Sequence, residues 1–73
     1  MDTNHYAHLT DSQRELLFDH YDNAARKFHR DGNRYGQFKA LSRRSELESP
    51  RGVWLSRLEC QIAGIDVDVE MYA

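Results

Sequence analysis

The sequence predicts a mainly α fold: a compact three-helix domain with a short C-terminal β-strand or extended tail. Three patterns carry this reading. A long, capped segment near the N-terminus repeats its apolar residues with the period of a helix. Two later segments repeat the pattern over shorter spans. The last residues switch to alternation, the period of a half-buried strand. With 73 residues the chain has room for one domain, and only a small core. Residues 1–9 read as an extended N-terminal arm and residues 65–73 as a strand-like acidic tail.

The first helix is the clearest. In "LTDSQRELLFDHYDNAARKFHRDGN", Thr10 and Gln13 match the capping box T-x-x-Q. Asp11 and Glu15 stand near its start and Arg26, Lys27 and Arg30 near its end, as the helix dipole favours. Gly32 is a natural stop. Leu17, Tyr21, Ala24 and Phe28 form the apolar stripe, and Leu16 lies off it.

The second helix is expected at roughly 34–45 within "RYGQFKALSRRSELES". Tyr35, Phe38 and Leu41 share a face that fades into Ser42 and Ser45. Gly36 weakens the helix, and Leu47 falls out of phase.

The third helix is expected over "ESPRGVWLSRLECQIAG". Ser49 is a favoured N-cap, Pro50 a favoured first residue and Gly64 a stop. Trp54, Leu55, Leu58, Ile62 and Ile65 share an arc of roughly 100°. On these patterns Leu17, Phe28 and Leu58 should be buried. Tyr21, Phe28, Tyr35, Phe38 and Trp54 should form an aromatic core.

The tail "GIDVDVEMYA" alternates Ile65, Val67, Val69 and Met71 with Asp66, Asp68 and Glu70. Such a strand needs a partner. The candidates are "NHYAHL" near the N-terminus, the same strand of a second copy, or a sheet edge of another protein.

The net charge of −2 conceals three blocks. Residues 1–25 hold five acids and one base, for −4; residues 26–57 hold nine bases and three acids, for +6; residues 58–73 hold four acids and no base, for −4. Either the basic middle folds against the acidic ends, or it is a surface for phosphates or an acidic partner.

Several function classes find no support in the residues. No stretch approaches the roughly 18 apolar residues of a membrane span. The N-terminus lacks the basic and apolar regions of a signal peptide. The single cysteine, Cys60, excludes an intrachain disulfide and fits a reducing, cytoplasmic setting. His5, His8, His20 and His29 lack the spacing of metal ligands. Cys60 has no nucleophile signature, and no phosphate-binding glycine loop is present. No cofactor, metal or catalytic residue is therefore expected.

The expected function is that of a small, non-enzymatic regulator, adaptor or inhibitor that docks on another protein, alone or as a homodimer. The residues expected at the interface are Arg43, Arg44, Arg51, Trp54, Arg57, Gln61, Asp66, Asp68 and Glu70. The alternative is a helix-turn-helix-like nucleic-acid binder using the basic middle. Arg57 and Gln61 would then face base edges, and Arg43, Arg44 and Arg51 would face phosphates. A third reading is an acidic nucleic-acid mimic built on Asp19, Asp22 and the tail acids.

Overall fold

Local signals in the chain set most of the helix ends. In a computed structural model, which describes residues 5–65, Thr10 caps the first helix as its sequence predicts. Its Oγ1 accepts from the Gln13 N–H at 3.1 Å, and the Gln13 side chain accepts from the Thr10 N–H at 3.0 Å. This helix, α1, spans Asp11–Arg30. Gly32, at φ +75°, turns the chain. Asn33 then caps α2, Arg34–Glu46, which runs one residue beyond the expected span.

The face that α2 turns toward α1 differs from the expected one. Tyr35 is 72% exposed and Phe38 69%, so neither joins the core. Gly36, Ala40, Arg43 and Leu47 point inward instead, at spacings of four, three and four. The physical reason is close approach. A Cβ on Gly36 would stand 2.5 Å from the Phe28 ring, so a glycine there lets the helices meet. Leu47, out of phase with the aromatic face, is fully buried at the C-cap of α2.

The expected third helix divides into a strand and a shorter helix. Val53–Leu55 forms β2, and α3 spans only Arg57–Ala63. Two features compete successfully with the Ser49–Pro50 start. Val53, Trp54 and Leu55 are β-branched, aromatic and apolar, well suited to a strand. Ser56 and Glu59 form a second capping box immediately after it. Gly64, at φ +74°, ends the helix as expected. Replacing Ser56 by Ala should cost about 1 kcal/mol in a urea titration, the usual worth of such a cap.

The partner of β2 is β1, His5–Ala7, a strand within the N-terminal arm. The two run antiparallel, with His5 opposite Leu55, Tyr6 opposite Trp54 and Ala7 opposite Val53. Leu55, Val53 and Ala7 contribute to the core, while Tyr6 and Trp54 stand on the outer face. Their rings meet edge-on at 5.2 Å, and Tyr6 lies against Gly52, where a Cβ would overlap it. Within "NHYAHL", His5–Ala7 pairs with β2, a partner that the sequence did not suggest. The strand expected from Ile65 to Met71 falls, beyond Ile65, outside the described residues.

The core is Leu17, Leu47, Leu55, Cys60 and Ala63, with Leu9, Phe18, Tyr21, Ile62 and Ile65 packed around it. Leu58, expected inside, is 59% exposed, and Trp54 is 60% exposed. Both belonged to a helical arc that the strand interrupts. Among the described residues no helix is long and apolar enough to cross a membrane.

Candidate functional site

One buried acid organises the junction of the four elements around it. Glu59 is 4% exposed, held at the first turn of α3 by its capping box. Arg43 of α2 meets it with two bonds. Its Nε donates to Glu59 Oε2 at 2.7 Å and its Nη2 to Glu59 Oε1 at 2.8 Å. Arg43 Nη2 also donates to the Trp54 carbonyl of β2 at 2.7 Å, and Nη1 to Glu46 at 2.7 Å. The Tyr21 hydroxyl of α1 donates to Glu59 Oε2 at 2.7 Å, and the Ser56 N–H to Oε1 at 2.9 Å. A fork of this kind fixes distance and orientation together.

The protonation states follow from these contacts. Burial pushes the Glu59 carboxyl up, but hydrogen bonds from Arg43, Ser56 and Tyr21, with the Arg43 charge, outweigh it and hold the group at about 2. Burial first, and then the bond to Glu59, push the Tyr21 hydroxyl up to about 12. The bond to Glu59 likewise keeps Arg43 firmly charged. Burial and the neighbouring Glu59 charge push the Cys60 thiol up, away from a nucleophilic thiolate.

Beside this cluster lies a groove of about 730 Å³ between α1 and α2. Its origin is a mismatch of lengths. The helix α1 has 20 residues and α3 only seven, roughly 30 Å against 10 Å at 1.5 Å per residue. The apolar stripe of α1 therefore continues past the end of its cover. Ala24, Phe28, Gly36 and Ala40 line the groove, with Tyr35, Lys39 and His20 also along it. Lys39 Nζ stands 5.5 Å from the centre of the Tyr35 ring. The Arg43–Glu59 pair lies at the groove as well, so Lys39 is its one charged lining group without a carboxylate partner among the described residues.

The residues named from sequence are dispersed. Arg43 is engaged inside the fold. Arg44 Nε lies 2.8 Å from Asp22 and its Nη1 3.0 Å from Glu48, with its guanidinium over the Phe18 ring at 4.4 Å. Arg51 is exposed in the turn before β2, Trp54 on the outer sheet face, and Arg57 and Gln61 on α3. Asp66, Asp68 and Glu70 lie outside the described residues. A strand, rather than a tight turn, separates α2 from α3. The described residues contain no group of three or more His, Cys, Asp or Glu placed to hold a metal.

No family model matches the chain, and neither a curated protein nor a solved structure matches it.

The sequence reading overlooked Glu59 and the groove. The S-x-x-E capping box of Ser56 and Glu59 was available as a signal. So was the pairing of small Gly36 and Ala40 at a spacing of four. The burial of Glu59 was not readable, because an acid on a short helix looks solvated until Arg43 is placed beside it.

Proposed function

We propose that the chain is a small, non-enzymatic protein-binding module, a regulator, adaptor or inhibitor that acts by docking on a partner. The observation that supports this reading most is the uncovered half of the α1–α2 hairpin. Its groove is concave, mainly apolar and framed by rigid helices, as recognition sites commonly are. Tyr35, largely exposed along it, supplies an aromatic anchor of the kind that dominates binding energies. The lone cysteine supports a reducing, cytoplasmic setting. Association of two copies through the tail, residues 65–73, is the other docking mode that the sequence allows.

The test is a pull-down with the full chain as bait, with and without nuclease. Tyr35→Ser serves as the comparison bait, because a substitution at so exposed a position leaves stability within about 0.5 kcal/mol. The expected result is a protein partner that survives nuclease and is lost with the variant. Loss of every partner on nuclease treatment would instead favour nucleic-acid binding. That second reading has its own observation. Arg26, Lys27, Arg30 and Arg34 are exposed around the hairpin end without carboxylate partners among the described residues, and Phe38 is exposed on the same hairpin. Exposed aromatics among bases are how single-stranded nucleic acid is gripped.

A further inference from the structure

We propose that the groove beside Lys39 takes an acidic amphipathic α-helix from the partner protein. This rests on the docking reading above and adds the chemistry of the occupant.

Three observations converge on a helix of that kind. The first is shape. The groove follows two helices, one on each side, and continues the layer that α3 occupies farther along α1. A third helix laid there would cover the half-buried Ala24 and Phe28 much as α3 covers Leu17. A helix laid in an apolar groove reads as anchors at i, i+3 or i+4, and i+7.

The second is charge. The Glu59 carboxylate is fully engaged by Arg43, Tyr21 and Ser56. Lys39 and the imidazole of His20 remain to face an occupant. Exposed positions on α1 near the hairpin end add Lys27 and Arg30, with Asp31 the only acid in the turn. This field attracts acids and opposes a second copy that offers the same basic hairpin.

The third is what the groove does not provide. A polynucleotide needs several cations along its backbone and flat faces for its bases. The groove has one unneutralised amine and one well-exposed aromatic ring, Tyr35.

The experiment pans the full-length chain against a phage library of random peptides long enough to form four helical turns. The best peptide is then synthesised, and its affinity is measured by fluorescence anisotropy. Expected binders carry net negative charge and apolar residues at helical spacing, and circular dichroism shows the peptide gaining helix on binding. Lys39→Glu and Tyr35→Ser should each weaken binding about tenfold, the equivalent of one modest hot-spot contact. Phe38→Ser, on the other side of α2, should change it less than about twofold. Binders without acidic character, binders that stay extended, equal sensitivity to Phe38→Ser, or no binders at all would each overturn the inference. A nuclease-resistant protein partner that ignores Lys39→Glu would also overturn it, while leaving the docking reading intact.

Discussion

Leu47→Ala should remove most of the stability of the protein. Leu47 is fully buried where the C-cap of α2 meets the core, in a cluster of five residues. Truncating such a leucine costs about 2–5 kcal/mol, from lost transfer energy and the cavity left behind. A domain of this size holds only about 4–11 kcal/mol in total. Urea titration should therefore show a large fall in midpoint, or no folded baseline. Leu58→Ala should behave oppositely. With its side chain 59% exposed, it should move the midpoint by no more than about 1 kcal/mol. Equal effects at the two positions would mean that α3 is rotated from the orientation described.

Glu59→Gln should be nearly as damaging, and its signature is a changed pH profile. Removing one partner of a buried ion pair leaves the other charge uncompensated, at a cost of about 3–5 kcal/mol when both are dry. Arg43 keeps 28% of its side chain exposed, so the lower end, about 3 kcal/mol, is expected. The acid limb is specific. The folded-state value for Glu59, about 2, lies below its ordinary 4.5. Its contribution is therefore fully present above about pH 4.5 and is lost as the pH falls toward 2. On the alkaline side, Tyr21 has the opposite sign. Its folded value, about 12, lies above the ordinary 10, so its contribution is present below about pH 10 and is lost as the pH rises through 12. Thermal melts across pH 2–12 should show both limbs in the parent. The Glu59→Gln protein should lose the Glu59 part of the acid limb and show a weaker alkaline one. An unchanged acid limb would remove Glu59 from its proposed role.

Legibility in the sequence varied by element for identifiable reasons. The span of α1 was legible, because its capping box and Gly32 agree, but Phe28, expected in the core, is half-buried at the groove. The span of α2 was also legible, but not its orientation. Tyr35, Phe38 and Leu41 make a stronger apolar pattern than Gly36 and Ala40, yet the small residues allow contact with α1 and the large ones do not. The strand β2 was hidden because Trp54 and Leu55 fall in phase with Leu58 and Ile62, so one helix accounts for all four on paper. Its true partner, His5–Ala7, lies at the other end of the chain, where no local pattern reports it. The groove followed the same logic. It exists only because α3 is half as long as its apolar arc suggested.

The pairing of β1 with β2 also bears on the order in which the molecule assembles. The α1–α2 hairpin joins neighbours in sequence through a short turn, so its closure entropy is small. The strand pair must close a loop that contains both helices, and that cost rises with the logarithm of loop length. Non-local pairings of this kind form slowly compared with helical contacts. The two strands, three residues each, are thus expected to close late, as a clasp on a helical hairpin that is already formed. A clasp so short should open more readily than the hairpin it fastens, so amide exchange in β1 and β2 should run ahead of exchange in the middle of α1.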